Sequence, residues 1–378
     1  MSSPVPTITE AVVAEIARHA ESVDRDARFP KEGLEALRDA GLLGLGVPAE
    51  FGGPGGGPVE IAMAIRAIGA ACGSTSMVYA MHAVATQTLF SDPGADGGPK
   101  ATALRAIGAG EHLSTLAFAE KGSRSHFWAQ TGHARATIDG VIIDADKTWV
   151  TSASEAQSYV VATGAAGTED PVATELYLVD AFTPGIEVLG VFDGLGLCGN
   201  GSAPVRMTGL EIAADRRIGG PSGGYATMMG RTFPWFVIAC SNCCVGLSGR
   251  ALELACHHAA TTTLGHTGER LADLGVIKAR LAEAKIRHLQ ATALVDHVTT
   301  GYAAGTIDQL SLLAVKAAAA EMSIEVTDAA MRACGGAAFS KHLPVERLFR
   351  DARAATVMGP TTDVLRDLIG QALTPTVA

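Results

Sequence analysis

The sequence is poor in positive charge, in aromatic side chains and in charged residues generally. It has 29 Lys and Arg against 39 Asp and Glu, a formal net charge of −10, and charged residues make up only 18% of it. Binding of nucleic acid needs a basic face that matches the phosphates, so this charge balance argues against nucleic acid as a partner. Aromatic residues account for 5% and hydrophobic residues for 48%, which is typical of a globular protein.

Long apolar runs are also missing. No stretch of about eighteen consecutive apolar residues occurs, so the sequence predicts no membrane span. Residues 1–7 lack the basic-then-apolar order of a secretory signal peptide, and we therefore expect a cytoplasmic location.

Cysteine is present, but not in a pattern that predicts disulfides or a metal site. The seven cysteines are scattered through apolar or glycine-rich surroundings, which indicates reduced thiols. Cys240, Cys243 and Cys244 invite a metal interpretation, but no second pair follows at the spacing of a zinc site. We expect structural thiols there and no bound metal.

The hydrophobic periodicity changes twice along the 378 residues. Residues 8–113 have helical spacing, residues 114–219 alternate with a period of two between turn signals, and helical spacing returns from about residue 225. The predicted fold class is α+β, with an N-terminal helical domain (1–113), a middle β-barrel-like domain (114–219) and a C-terminal four-helix bundle (220–378). Small residues on several faces of the last helices predict a homodimer or a homotetramer.

The stretch 116–152 is the most informative part of the chain for function. Two β-runs joined by the Asp-Gly pair at 139–140 predict a hairpin. Trp149 and Thr151 would then share a rim with the loop 120–128. A flat heteroaromatic cofactor needs such a rim, with an aromatic cover and hydroxyl groups aimed at its polar edge. An ordinary hairpin with a surface tryptophan is the alternative.

The same stretch resembles the middle-domain signature of acyl-CoA dehydrogenases. That signature joins a Glu-containing Gly-Ser loop to a later Lys-x-Trp-x-Thr segment, and the two halves lie here at 117–125 and 147–151. The Gly/Pro-rich segment 42–53 and the Phe-Arg-Asp-Ala-Arg segment 349–353 also resemble that family, so the resemblance extends over nearly the whole chain. It implies a flavoprotein oxidoreductase with the three-part fold described above.

The resemblance also implies a set of cofactor contacts. Those from the middle domain are Phe118, Ala119, Ser125, Trp149 and Thr151. Those from the C-terminal region are Arg332, Gly335, Gly336 and Thr361. The Gly-Gly turn would let the backbone approach the cofactor tail of a partner subunit closely. The Arg that usually reaches the pyrophosphate is absent at Thr261, which makes FMN the alternative cofactor. Arg332 stands where the family has Gln and could restore the charge from another helix, so FAD is the expected cofactor.

The customary catalytic carboxylate is missing. Where the family has the Glu that abstracts the α-proton, the sequence has Gly359, and where a minority branch keeps its base it has Phe236. Gly359 still offers a backbone N–H, which the resemblance implies would polarise the thioester carbonyl. His82 and Asp363 are the candidate replacement bases. His126 is expected on the wall near the cofactor tail.

Each candidate base has a structural alternative. His82 could be a core histidine bonded to a backbone carbonyl. Asp363 could cap the last helix or bind the ribose region of the cofactor.

Three functions agree with these features. The leading hypothesis is a dehydrogenase that removes two hydrogens across Cα–Cβ of an acyl thioester, on CoA or on a carrier protein, and passes the electrons to an external acceptor. The second is a flavin monooxygenase of the same fold, served by a flavin reductase. The missing carboxylate and the side chains of Trp128, His82 and Trp235 favour it. The third is an inactive partner subunit of an active paralogue.

Overall fold

The computed structural model describes residues 5–168, 170 and 172–374, and it begins with helices. The N-terminal helices are α1 (Glu10–Arg25), α2 (Lys31–Asp39), α3 (Pro58–Ala71), α4 (Gly73–Phe90) and α5 (Pro99–Gly108). Thr9 caps α1, since its hydroxyl accepts a hydrogen bond from the N–H of Val12. Pro58 and Pro99 stand at the start of α3 and α5, where a missing N–H has no effect on the helix.

Helix α4 is the central element of this part of the chain. Every side chain from 73 to 89 is buried, because the helix packs against α3, against the first strand and against a long C-terminal helix. A helix that is buried on all faces shows no amphipathic stripe. Its sequence therefore does not indicate which of its residues face a cavity.

The middle of the chain forms two four-stranded sheets. The strands are β1 (Ser114–Ala117), β2 (Ala134–Ala136), β3 (Gly140–Val150), β4 (Ser158–Gly164), β5 (Thr174–Asp180), β6 (Ile186–Val188), β7 (Ala203–Ala213) and β8 (Arg217–Ile218). One sheet has the order β1-β4-β5-β8 and the other β2-β3-β7-β6; β1 and β4 are parallel and all other pairs are antiparallel. Side chains from both sheets, among them Ile143, Val161 and Val205, form one apolar core between them.

The hairpin predicted at 139–140 is formed by β2 and β3, with Ala136 opposite Val141. The preceding run at 114–117 lies in the other sheet, so the segment 118–133 carries the chain from one sheet to the other. This crossing brings the segment to one end of the two sheets, beside the helices.

The C-terminal part is helical. Its helices are α6 (Gly224–Thr227), α7 (Phe233–Thr261), α8 (Gly275–Ala304), α9 (Gln309–Cys334), α10 (Gly336–Phe339), α11 (Val345–Ala352), α12 (Ala354–Val357) and α13 (Thr362–Leu373), with a π-helical turn at Met228–Thr232 before α7. The long helices α7, α8 and α9 pack against one another, and α13 packs on α9. The predicted α+β class, with helices on either side of a β middle part, is confirmed.

The continuous helical segment 224–261 is long and apolar enough to cross a membrane. Its most apolar window has a mean hydropathy of 1.3, but 83% of that window is buried inside the fold. The apolar character of the segment is explained by its place in the core, between α3, α4, α8 and α9.

Candidate functional site

A cavity of about 1030 Å³ lies where the two sheets meet the helices. The segment after β1 and the end of β3 form one wall, while α7 and the segment 354–364 form the opposite wall. Met77 and Met81 of α4 extend this second wall, because α4 packs against α7. The lining residues used below are Phe118, Ala119, Ser125, His126, Trp149, Thr151, Asp193, Phe236, Met358, Gly359 and Thr361.

A buried ion pair holds the segment 118–133 in place. The Lys147 ammonium of β3 donates to the Glu120 carboxylate and to the side-chain oxygen of Gln130, and the carboxylate also accepts from the backbone of Thr131 and Gly132. Burial alone would raise the pKa of Glu120, but the adjacent ammonium and these hydrogen bonds outweigh it and hold that pKa below its usual value. Glu120 is therefore a bound, ionised structural group and not an available base.

Trp149 occupies an irregular position at the end of β3. The register of β3 with β7 shifts between Lys147 and Val150, and the Trp149 backbone has φ = +55°. Positive φ is unfavourable for a bulky residue and is maintained only when the surroundings enforce it. The side chain is 69% exposed at the rim of the cavity. Among the described aromatic side chains it packs only against Phe192, with the two ring planes nearly perpendicular. A large, exposed aromatic surface beside an apolar cavity suits a flat ring system.

The two walls of the cavity are joined through Ser125. Its hydroxyl oxygen accepts a hydrogen bond from the N–H of Thr361 at 2.7 Å and lies 3.1 Å from the Thr361 hydroxyl. Thr361 also caps α13, accepting from the N–H of Val364. A β-carbon at Gly359 would lie 3.2 Å from the carbonyl oxygen of Ser125, so a side chain at this position would be tightly packed against the other wall.

Comparison with known proteins gives a consistent result. The model of the acyl-CoA dehydrogenase N-terminal domain matches residues 5–96, and that of the acyl-CoA dehydrogenase C-terminal domain matches residues 222–374. The probable acyl-CoA dehydrogenase YngJ of Bacillus subtilis is 27% identical over 370 residues, covering 95% of this chain and 94% of that protein. This chain belongs to the acyl-CoA dehydrogenase superfamily.

Solved structures share the fold of this chain. Butyryl-CoA dehydrogenase from Megasphaera elsdenii superposes with a TM-score of 0.88 at 19% identity, covering 97% of this chain and 99% of the other. The prolyl acyl carrier protein oxidase AnaB superposes with a TM-score of 0.85 at 19% identity, covering 96% and 98%.

Acyl-CoA dehydrogenases are FAD-dependent oxidoreductases that act on CH–CH bonds, so the expected enzyme class and the expected cofactor, FAD, are confirmed. The residues present fit such a group. Trp149 offers an exposed aromatic face, and the hydroxyls of Ser125 and Thr151 line the same cavity. Ala119 contributes no hydroxyl, but its backbone carbonyl accepts from Thr148 and fixes the wall there.

His82 does not face the cavity, and the catalytic role expected for it is wrong. The side chain is 1% exposed; Nε2 lies 2.9 Å from the carbonyl oxygen of Leu43, and Nδ1 accepts from the N–H of Ser114 at 3.1 Å. Burial lowers the pKa of His82 to about 4, so the ring is neutral. His82 is therefore a core histidine bonded to a backbone carbonyl, which was the alternative to a catalytic role.

Asp363 also points away from the cavity. Its side chain is 91% exposed in the first turn of α13, 3.8 Å from Arg366, and Thr361 rather than Asp363 caps that helix. An aspartate in this position faces solvent because the cavity is on the opposite side of the helix start. The Asp363 carboxylate is not part of the cavity lining, which contradicts its expected role as a base.

Two of the tryptophans considered for a monooxygenase pocket are outside the cavity lining as well. Trp235 is buried against the edge of Tyr302, and Trp128 packs on Phe127. Successive side chains of a helix point in directions about 100° apart, so Trp235 of α7 faces the core while Phe236 faces the cavity.

Arg332, Gly335 and Gly336 lie at the exposed C-terminal end of α9, away from the cavity of their own chain. Arg332 pairs with Asp328 one turn earlier. Their expected contact with the cofactor of a partner subunit remains a prediction.

Sequence reasoning missed Lys316, a buried lysine behind the cavity wall. The signal was available, because Lys316 is a single charge inside the apolar, alanine-rich run 312–320 of α9. Charged residues are almost never fully buried unless they have a specific partner.

Proposed function

We propose that this protein oxidises an acyl thioester across Cα–Cβ without the glutamate base of its relatives. The observation that carries the proposal is the combination, in one cavity, of the Trp149 rim with the backbone of Gly359. Bound FAD would supply the two-electron acceptor. The chain's own residues would hold the acyl group, orient the thioester and accept or release the α-proton.

The wall opposite the rim is suited to an acyl chain. Met77, Met81, Phe233 and Phe236 line it, and apolar side chains of this kind bury hydrocarbon favourably. Gly359 adds a polar group to this wall, since its N–H has no hydrogen-bond acceptor among the described residues. A thioester carbonyl bound there would acquire a donor that makes the α-proton more acidic.

The described cavity leaves two candidates for the base. His126 and Asp193 are titratable residues that line the cavity and are exposed to solvent, whereas Glu120 is held in the ion pair with Lys147. We propose that the α-proton leaves through one of them or through water entering at the rim, which predicts slow proton abstraction.

The carrier of the thioester is CoA in our proposal. The curated relative named above is a probable acyl-CoA dehydrogenase, and Lys121 and Arg124 place positive charge beside the cavity, where phosphate groups would bind. The structural similarity to a prolyl acyl carrier protein oxidase keeps a carrier-protein thioester as the second possibility. The electrons would pass to an external protein acceptor.

Anaerobic titration tests this proposal. The purified FAD-loaded protein is mixed with butyryl-CoA and, separately, with the same acyl group on a carrier protein. Bleaching of the flavin absorbance by either thioester is the expected result, and the faster one identifies the carrier. A protein that stays colourless after incubation with FAD would refute the proposal.

The same assay separates the other two functions. Oxygen consumption only in the presence of a flavin reductase would indicate a monooxygenase. A yellow protein that neither bleaches nor consumes oxygen would indicate an inactive partner subunit.

A further inference from the structure

Lys316 is a buried cation without a carboxylate partner in the described structure. It lies on α9 with 1% of its surface exposed. Its ammonium donates to the carbonyl oxygens of Ala355 at 3.0 Å, Met358 at 2.9 Å and Pro360 at 2.7 Å. An ammonium has three N–H groups, so each of them has an acceptor.

These three hydrogen bonds arrange a backbone segment around the charge. A buried ammonium that lacked such partners would be strongly unfavourable, and the carbonyl dipoles replace the water it has lost. The centre of the Phe236 ring lies 5.9 Å from the Lys316 Nζ. These three carbonyls therefore point towards the Lys316 ammonium, which determines the orientation of the peptide planes to which they belong.

One of these peptide units carries the donor of the proposed thioester site. The carbonyl of Met358 and the N–H of Gly359 belong to the same trans peptide unit, in which the two groups point in opposite directions. Because the Met358 oxygen faces Lys316, the Gly359 N–H points away from α9. Met358 and Gly359 both line the cavity.

We propose that Lys316 is a positioning residue that directs and strengthens the Gly359 N–H as the donor to the thioester carbonyl. The inference rests on the proposed function. Hydrogen bonding of a cation to the carbonyl end of an amide polarises the whole group, so its N–H becomes a stronger donor. The positive charge of Lys316 thus strengthens the hydrogen bond to the substrate carbonyl by polarising the one peptide unit that lies between them.

Ser125 completes the arrangement from the opposite side. Its hydroxyl accepts from the N–H of Thr361, two residues after Gly359. The segment is thereby held at both faces, by the Lys316 ammonium from α9 and by Ser125 from the middle domain.

The sequence provides a selective probe of this peptide unit. Only two Met-Gly pairs occur in the chain, Met229-Gly230 and Met358-Gly359. Labelling with carbonyl-¹³C methionine and ¹⁵N glycine therefore gives two signals in an amide-to-carbonyl NMR correlation, and Gly230 serves as an internal reference. The FAD-loaded protein is compared with and without a 3-thia-acyl-CoA, a thioester that cannot lose a hydride from Cβ.

Three variants accompany the wild type: Lys316→Met, Lys316→Arg and Lys100→Met. Lys100 is the matched control, a second buried lysine, which bonds Asp92 and the carbonyl of Arg217 and does not line the cavity. We expect the thioester to move the Gly359 amide proton downfield in the wild type and in Lys100→Met. In Lys316→Met at least half of this chemical-shift change should be lost. The thioester should also bind about tenfold more weakly, a smaller effect than the removal of a whole hydrogen-bond donor would have.

Lys316→Arg retains the charge but cannot place three N–H groups at the position of Nζ. It should fold even if Lys316→Met does not, and it should show a reduced movement of the Gly359 signal. A folded variant at Lys316 with the full wild-type movement would overturn the proposal. So would a wild-type Gly359 signal that stays fixed while the thioester binds and perturbs the flavin spectrum. Failure of the thioester to bind the wild type at all would instead refute the proposed function.

Discussion

Phe236 and Gly359 stand at the two positions where the resemblance to acyl-CoA dehydrogenases implies a carboxylate base, and neither side chain can accept a proton. Phe236 lies on the cavity wall near the Lys316 ammonium, while Gly359 faces Ser125 at close range. These two positions differ in the space available. A longer side chain can be accommodated at 236, where an aromatic ring already stands, but not at 359 without displacing the backbone of Ser125.

The first prediction restores a base at the roomier position. Phe236→Glu should raise the rate of flavin reduction by butyryl-CoA by about 10²-fold, the lower end of the range for general-base catalysis. The nearby Lys316 ammonium should lower the pKa of the new carboxyl group and limit its strength as a base. Stopped-flow absorbance measures the rate.

Phe236→Gln is the matched control, because glutamine has nearly the same shape as glutamate but no carboxylate to act as a base. Equal rates in Phe236→Glu and Phe236→Gln would contradict the idea that a missing base limits the reaction.

The second prediction concerns His82, whose pKa is lowered by burial to about 4 from an ordinary value of 6.5. Between these values the unfolded chain binds a proton that the folded protein excludes, so the contribution of His82 to stability is complete above pH 6.5 and is lost as the pH falls towards 4. Lowering the pH from 7.5 to 4.5 should remove about 2 to 3 kcal/mol of the free energy of unfolding.

Urea unfolding of the wild type and of His82→Gln at both pH values measures this contribution. Asp351 acts in the opposite direction, because burial raises its pKa to about 6. It is present in both proteins, so its effect cancels in the comparison. If both proteins lost the same free energy on acidification, the neutral core histidine would be refuted.

At the scale of elements, strand β3 holds the segment 118–133 at the cavity through its buried lysine, Lys147. Lys147 and its neighbour Asp146 form ion pairs on opposite faces of the same strand, Lys147 with buried Glu120 and Asp146 with exposed Arg206. Alternation along a strand puts one pair in the core and the other in solvent. The two ion pairs involve neighbouring residues of one strand and differ mainly in burial. Comparing them therefore shows how burial changes the contribution of an ion pair to stability.

The third prediction uses this contrast. Lys147→Met should destabilise the protein by about 3 to 5 kcal/mol, because it leaves the Glu120 carboxylate buried without its cation. Arg206→Met should cost less than about 1 kcal/mol, as expected for an exposed pair. Denaturant unfolding measures both.

Lys147→Met combined with Glu120→Gln should recover part of the loss, since no unpaired charge is left in the core. A double variant as unstable as Lys147→Met alone would show that packing and not charge is responsible. FAD should also bind more weakly to Lys147→Met, because the wall 118–133 depends on this pair.

At the scale of the whole molecule, the residues expected to bind the cofactor tail are remote from the cavity of their own chain. Arg332 and the glycines that follow it are exposed at the end of α9. In the proposed cofactor site, one chain provides the rim for the flavin ring but no contact from its own turn at the end of α9. The arrangement is understandable if a second copy supplies the turn.

The fourth prediction follows from this separation. Light scattering should give a mass of two or four times 38.7 kDa. Arg332→Glu should weaken FAD binding about tenfold or more, which corresponds to the loss of a charge-assisted contact to phosphate. Arg366→Glu, a change at an exposed arginine on α13, should not affect it. A monomer that retains FAD with normal affinity would refute the shared site.

The sequence by itself determined the kinds of element and the places of the motifs. Period-two alternation and an Asp-Gly turn are local properties, and they are sufficient to specify β2 and β3. Glycine at 359 and phenylalanine at 236 are likewise visible without coordinates, so the missing carboxylate was predictable. The rim residues Trp149 and Thr151 were found from their motif, and they lie on the cavity.

Only the tertiary structure decided which side chains reach the cavity. His82 was misplaced because α4 is buried on all faces and its sequence shows no direction, and Asp363 because the start of α13 turns it to solvent. Lys316 meets carbonyl oxygens 39 to 44 residues further along the chain. Such contacts depend on how helices pack against one another, and packing is a property of the assembled fold that local sequence periodicity does not contain.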